Sequence, residues 1–305
     1  MSLARVEENA MATIGFIGLG NMGLPMALNL MRAGHAVKGA DVQAAAVERF
    51  AAAGGKGVKA IADACHGADA IITMLPAGEQ VRAVYLGDAG LIANVRPNTL
   101  LIDCSTIDVE TARAVGRAAE MEGLTMVDAP VSGGVSGAQS ATLTLMVGGT
   151  EKAFARAKPI LEAMGKTIVY AGGSGNGQAA KICNNLILGV SMIVVSEAFL
   201  LADKLGLDAQ RLFDIASKSS GQCWSLTNYC PVAGPVSSSP ANRNYQPGFT
   251  AAMMLKDLRL ARDAARSVRA TSPLGAGAVA LYERFAEEYD AGKDFSAIIQ
   301  YLRGD

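Results

Sequence analysis

The run Thr13-Ile14-Gly15-Phe16-Ile17 leads straight into Gly18-Leu19-Gly20-Asn21-Met22-Gly23, and that turn opens the helical stretch Met22–Ala33. The first piece has strand character, the second is a G-x-G-x-x-G turn, and the third is rich in helix formers. Strand, glycine turn and helix in this order suit the pyrophosphate of a dinucleotide. Gly18 and Gly20 let the backbone turn and approach it, and Gly23 lets helix and strand pack closely. The helix N-terminus, with Asn21 and Met22 beside it, stabilises the anion. Asp41 ends the next expected strand, 23 positions beyond Gly18. A carboxylate there accepts hydrogen bonds from both adenosine-ribose hydroxyls and repels a 2′-phosphate. Val42, Gln43 and Ala44 follow it, with no Arg close behind, so the expected cofactor is NAD rather than NADP.

Outward from this turn, short β-branched runs alternate with Ala-rich helical segments. Strands are expected at Thr13–Gly18, Ala36–Ala40, Ala70–Leu75, Leu100–Asp103, Thr125–Asp128, Thr142–Val147 and Thr167–Tyr170. Helices are expected at Met22–Ala33, Ala44–Ala53, Gly78–Val84, Val109–Glu122 and Glu151–Met164. Such alternation marks an α/β fold, a Rossmann-type doubly wound and mainly parallel sheet with helices on both faces. From Gly177 a helical run continues to about Leu205, followed by expected helices at Asp208–Lys218, Phe249–Val268, Pro273–Tyr289 and Phe295–Leu302 and a loop over Pro231–Pro247. The expectation is an NAD-binding domain over 11–174 and an all-helical domain over 175–305, the latter for substrate binding and oligomerisation.

Composition narrows the partners. The net charge of −1 and 18% charged residues give no general pull toward nucleic acid or an anionic membrane. Five cysteines without a CxxC pair fit free thiols in a reducing cytoplasm, and no metal site is expected. Met1–Ala10 has no apolar centre for a signal peptide and reads as a tag scar or frayed extension, with Met11 as the native start. Ile182–Ala202 has the length of a membrane span, but Asn184, Asn185, Ser191, Ser196 and Glu197 interrupt it, so a helix buried in the protein is expected instead.

Oxidation of an alcohol by hydride transfer needs a base for the hydroxyl proton and groups that hold the substrate. Neither histidine suits: His35 lies in a turn and His66 on a surface-like loop. Lys181 does, because Gln178 and Asn185 lie one turn to either side and share its helix face, a polar stripe expected to line a cavity. Among apolar neighbours a Lys loses hydration, which favours the neutral amine that a base requires. Val131-Ser132-Gly133-Gly134 offers exposed N–H groups and a hydroxyl suited to a carboxylate. Asp103-Cys104-Ser105-Thr106 is another strand end at the sheet edge where ligands of such folds bind.

Gly18–Gly23, Asp128–Gly134, Gly177–Asn185 and Gly248–Asp257 together resemble the β-hydroxyacid dehydrogenase family, over nearly the whole chain from Thr13 to about Arg303. Within it, Ser219–Ser225 followed by Pro231 and Val232 resembles the members acting on 3-hydroxyisobutyrate. The resemblance implies NAD-dependent oxidation of that small 3-hydroxy acid to methylmalonate semialdehyde, a step of valine breakdown. It implies Lys181 as general acid/base, Asn185 orienting the substrate, and Ser132, Gly133 and Gly134 holding its carboxylate. Thr106 would lie by the nicotinamide, Leu75 and Pro76 would contact the cofactor, and Lys256 would close over both ligands. Phe249, Met253 and Lys256 are expected on one helix face. Trp224 reads either as a wall of the pocket for the substrate methyl or as a core residue. Gln80 stands where similar enzymes often carry Asn. A homodimer or homotetramer built through the helical domain is also implied. Rival readings are a relative acting on serine or tartronate semialdehyde, an NADPH-dependent aldehyde reductase, and a non-catalytic dinucleotide-binding protein.

Overall fold

The computed structural model describes residues 11–304, so the reading of Met1–Ala10 falls outside them. The described residues hold strands β1 (Thr13–Ile17), β2 (Ala36–Ala40), β3 (Lys56–Val58), β4 (Ala70–Thr73), β5 (Leu100–Asp103), β6 (Thr125–Asp128), β7 (Val131–Ser132), β8 (Leu143–Gly148) and β9 (Gly165–Gly172). They form one sheet in the order β3-β2-β1-β4-β5-β6-β8-β7, with β9 pairing β8. From β3 to β6 every pairing is parallel, while β8 runs antiparallel to β6 and β7 and parallel to β9.

The central strands are apolar on both faces because helices cover both. Ile14, Phe16, Ile72 and Ile102 pack into one core with Met26, Leu30 and Phe50, whereas Ile17, Ile71 and Leu101 pack into another with Val81, Tyr85 and Val115. Successive side chains of a strand thus serve opposite layers. After β3 the chain returns to the other side of β1 to lay down β4, so the strand order reverses between β1 and β4. A crevice opens at the carboxyl ends of strands at such a point.

Several elements depart from the sequence reading, among them the short helices Ile61–Cys65, Leu91–Asn94 and Trp224–Thr227 and a 3-10 turn, Pro240–Arg243, inside the expected loop. The edge strand β3, Lys-Gly-Val, carries no alternation that would announce it. The glycine turn after Val131 contains a short strand, and Gly134–Gln139 is helical. The stretch expected as a single C-terminal helix is a 3-10 turn, Phe295–Ala297, running into the helix Ile298–Arg303.

The chain divides into two compact units, one ending at Lys181 and the other starting at Ile182. The division falls inside the helix Asn176–Lys204, which at 29 residues is about 44 Å long. No strand is described after β9; the second unit packs Met192, Met254, Leu258, Tyr282, Phe285 and Phe295 into a helical core. Asp294, fully buried there, accepts hydrogen bonds from Tyr229 Oη, Gly248 N, Phe249 N and Ser296 Oγ.

The long helix is apolar and long enough to cross a membrane, and it is not wholly interior as expected. Lys181, Asn185, Met192, Ser196 and Phe199 are buried, while Ile187, Val194 and Leu201 are 68%, 55% and 61% exposed. Composition alone could not separate these two faces; only the packing does.

Candidate active site

The glycine turn has the sterics its pattern implies. Gly18 has φ +96°, and a Cβ there would strike the Met74 carbonyl oxygen; a Cβ on Gly23 would strike the carbonyl oxygen of Gly18. At Gly20, by contrast, a Cβ would meet nothing within 4 Å. Gly20 and Asn21 are exposed, so the turn keeps an open approach for a bulky anion. The residues fit a dinucleotide.

Asp41 follows β2 directly. Its Oδ2 accepts Leu19 N at 2.7 Å and its Oδ1 accepts Gln43 N at 2.7 Å. It therefore fastens the glycine turn to the end of β2, a role that sequence position did not disclose. A cleft of about 340 Å³ beside the turn is lined by Gly20, Asn21, Leu24, Arg49 and Gln139. Arg49 reaches it from the helix Ala44–Ala52, a cation the sequence reading did not place there.

The carboxyl ends of β4 and β5 are joined by a buried polar network. Asp103 Oδ1 accepts Thr73 Oγ1 at 2.8 Å, Ser105 Oγ at 2.6 Å and Ser105 N at 3.2 Å. With Thr73 donating to Asp103, Tyr85 Oη donates to Thr73 Oγ1 at 2.9 Å. Ser105 Oγ also accepts Leu75 N at 2.8 Å, which brings the segments holding Leu75 and Thr106 together. Burial pushes the Asp103 carboxyl up to about 6 against the pull of its hydrogen-bond donors. Leu75 and Thr106 are half-buried and Pro76 is exposed.

At the end of β7, Ser132 and Gly134 are half-buried and Gly133 is exposed; Gly133 and Gly134 have φ +129° and +62°. The long helix begins with Asn176, some forty residues further along the chain, and carries Lys181, which is 7% exposed. Gln178 was expected to line a cavity beside Lys181. Instead it is fully buried: its Nε2 donates to Ser105 O at 2.7 Å and its Oε1 accepts Ile107 N at 3.1 Å. Both ends of the amide clamp the helix to the segment after β5, because a buried amide must find partners.

In the second unit, Asn185 Nδ2 donates to Asp257 Oδ2 at 2.5 Å, and Asn185 Oδ1 accepts Asn184 Nδ2 at 2.9 Å. Lys256 Nζ lies 3.9 Å from Asp257 Oδ1, so Asp257 brings Asn185 and Lys256 together. Burial lowers the Lys256 pKa while the Asp257 carboxylate raises it. In sequence Asp257 is only the end of the Gly248–Asp257 motif; its partner is 72 residues away, and no local spacing reveals such a pair. Phe249 precedes the helix Ala251–Ser267, so it does not share a helix face with Met253 and Lys256 as expected. Thr250 is the cap that starts the helix, its hydroxyl accepting Met253 N. Trp224 is 51% exposed and stacked on Tyr229 at 5.0 Å, which excludes a core role. His35 is buried and its Nδ1 accepts Ala12 N, while His66 is exposed.

A switch-point crevice with such a glycine turn is that of a dinucleotide-binding protein, and the chain's relatives make it a nicotinamide-dependent dehydrogenase. The chain belongs to the β-hydroxyacid dehydrogenase family. Residues 13–172 match the family described as the NAD-binding domain of 6-phosphogluconate dehydrogenase. Residues 175–302 match the one described as NAD-binding of NADP-dependent 3-hydroxyisobutyrate dehydrogenase. The 3-hydroxyisobutyrate dehydrogenase of Pseudomonas aeruginosa is 48% identical over 297 residues, 96% of this chain and 99% of that one. The NAD-dependent L-serine dehydrogenase of the same organism is 46% identical over 288 residues, 94% and 97% of the two chains. A solved structure of Mycobacterium tuberculosis 3-hydroxyisobutyrate dehydrogenase with L-serine superposes with a TM-score of 0.92 at 50% identity, covering 96% of this chain and 99% of that one.

Proposed function

We propose that the protein oxidises 3-hydroxyisobutyrate to methylmalonate semialdehyde with NAD, a step of valine breakdown. The observation that carries the reading is Lys181, nearly buried on a largely apolar helix, with Ala180 and Ile182 beside it and Asn185 one turn on. Bound NAD would supply the acceptor for the hydride that leaves the carbinol carbon. Lys181 takes the hydroxyl proton on its Nζ as a general base and returns one in the reverse direction. The backbone N–H groups of Gly133 and Gly134 and the Ser132 hydroxyl hold the substrate carboxylate. Asn185, itself held by Asp257, orients the substrate, and Trp224 walls the side of its methyl. Gly18, Gly20, Asn21, Met22 and Gly23 cradle the pyrophosphate, Asp41 takes the ribose hydroxyls, and Leu75, Pro76, Thr106 and Lys256 complete the cofactor site.

The division of labour follows the chain in the main: residues 11–174 bind NAD and also lend Ser132, Gly133 and Gly134 to the substrate, while 175–305 supply the rest of the substrate site and join copies into a homodimer or homotetramer. The exposed apolar face of the long helix supports that self-association. A cytoplasmic location suits the five free cysteines.

L-serine is the second reading, favoured by the serine dehydrogenase relative and by the L-serine in the solved structure of a relative. A methyl or a hydroxyl in a pocket separates substrates by about 1–3 kcal/mol. The test is a panel of 3-hydroxyisobutyrate, L-serine and tartronate semialdehyde with NAD and NADP. Higher kcat/KM for 3-hydroxyisobutyrate with NAD is expected. Equal or higher kcat/KM for L-serine overturns the substrate, and preference for NADP, which Arg49 would serve, overturns the reading of Asp41. Lys181→Ala should lower kcat by about 100-fold or more; turnover within a few-fold of the parent removes Lys181 from the mechanism.

A further inference from the structure

The long helix does not supply its own N-terminal cap. A helix leaves its first N–H groups without intrahelical acceptors, and here a carboxylate from β6, some fifty residues earlier, receives them. Asp128 Oδ1 accepts Gly175 N at 2.7 Å, and Asp128 Oδ2 accepts Gln178 N at 2.9 Å. The Asp128 side chain is buried, and its surroundings are shaped to hold it. A Cβ on Gly148 would lie 2.5 Å from Asp128 Oδ1, and a Cβ on Gly177 would lie 2.7 Å from Asp128 Oδ2. Glycine at both positions leaves room for the carboxylate and for nothing larger beside it. Burial raises the Asp128 pKa, and the backbone donors of Gly175, Gln178 and Gly177 work against that rise.

Two distances along the chain give this cap a further meaning. Lys181 stands three residues, or about one helical turn, beyond Gln178. Ser132 stands four residues beyond Asp128, at the end of β7, where the chain enters the Gly133–Gly134 turn. The Gln178 side chain ties the same helix to Ser105 and Ile107, a different segment. Among these side-chain contacts of the helix start, Asp128 is the one on the β6 end, which runs through Ala129 and Pro130 into β7 and then Gly133 and Gly134.

We propose that Asp128 is a positioning residue, setting the Nζ-bearing turn of Lys181 against the Ser132–Gly134 turn, so that the base and the group holding the substrate carboxylate keep one fixed spacing. The proposal rests on the assignment of Lys181 as general base. Misplacing a reacting group by about 1 Å costs on the order of 100-fold in rate, so a loosened cap reads out in kcat. Asn in place of Asp128 offers one acceptor and one NH2 donor to backbone N–H groups that need two acceptors, and the helix start must shift.

The experiment is a double-mutant cycle in the full-length protein with 3-hydroxyisobutyrate and NAD. Asp128→Asn is expected to lower kcat at least tenfold while the NAD Kd stays within twofold. In a Lys181→Ala background the same substitution should change the residual rate by less than twofold, because no base is left to place. A purely structural role predicts that the two losses multiply and that NAD binding suffers as well. Either of those results overturns the proposal, as does a kcat of Asp128→Asn within twofold of the parent. Asp128→Ser, smaller and without the misplaced donor, repeats the cycle if the Asn variant does not fold. Failure of both to fold assigns Asp128 to folding and also overturns it. If Lys181→Ala itself retains turnover, the base assignment has failed; if Lys181→Ala is dead and Asp128→Asn is fully active, only the positioning role has.

Discussion

Asn185 and Asp257 form a buried side-chain pair, with Asn185 Nδ2 donating to Asp257 Oδ2 at 2.5 Å and neither residue more than 5% exposed. The amide expected to handle substrate is thus also a partner of a buried carboxylate. Removing it with Asn185→Ala leaves Asp257 short of a donor, which should destabilise the protein by about 1–3 kcal/mol and lower kcat. Asn185→Asp sets a second carboxylate against the first and should cost more. Urea unfolding measures both; an Ala variant as stable as the parent contradicts the pairing's importance.

Asp103 makes stability depend on pH in an unusual direction for a carboxylate. Burial raises it from 3.8 to about 6. The unfolded chain gives up this proton near pH 4, while the folded one keeps it to about pH 6. The folded state therefore binds more protons between those values, and stability falls as pH rises through the window. Two units correspond to about 3 kcal/mol, fully lost above pH 6. Asp103→Asn carries no such proton, so its stability relative to the parent should improve by up to that amount between pH 4 and 7. A relative stability that stays flat across this range rules the linkage out.

The glycines of the turn separate binding from folding. Gly23→Ala forces a Cβ against the Gly18 carbonyl and should destabilise the first unit. Gly20→Ala meets open space, so stability should change by no more than about 0.5 kcal/mol. NAD affinity should nevertheless fall about tenfold or more, because the new methyl occupies the approach of the pyrophosphate. Thermal melts and fluorescence titration with NAD distinguish the two; unchanged affinity in the Gly20 variant moves the pyrophosphate elsewhere.

Val194 and Leu201 lie seven residues apart, two turns along one exposed helix face. In the proposed assembly, charging both, as Val194→Glu with Leu201→Glu, should shift the sedimentation mass from that of a dimer or tetramer to that of a single chain with the circular dichroism unchanged. An assembly of undiminished mass would show that copies meet elsewhere.

The parallel sheet was legible because strands covered on both faces are continuous apolar runs, and the glycine pattern after β1 fixes which run comes first. β3 was not, since a three-residue edge strand of Lys, Gly and Val needs no apolar alternation. Helical spacing set Lys181 and Asn185 about one turn apart, and both lie on the helix Asn176–Lys204. The same spacing could not say that Gln178 faces backbone rather than a cavity, because periodicity names a face but not what meets it. Asp103, Asp128 and Asp257 escaped for one reason. Their partners Thr73, Gln178 and Asn185 lie 30, 50 and 72 residues away, and such pairings come into being only when the chain has folded.

Asp41 serves two masters, since the carboxylate that faces the ribose in the proposed site also fastens Leu19 N at 2.7 Å. Cofactor preference and loop shape are consequently inherited as a single trait. A lineage drifting from NAD toward NADP cannot simply trade this residue for a neutral or basic one, because the first step slackens the turn for either coenzyme. The adaptive path needs a replacement acceptor for Leu19 before the charge is surrendered, and that ordering should constrain any laboratory redesign as firmly as it does natural descent.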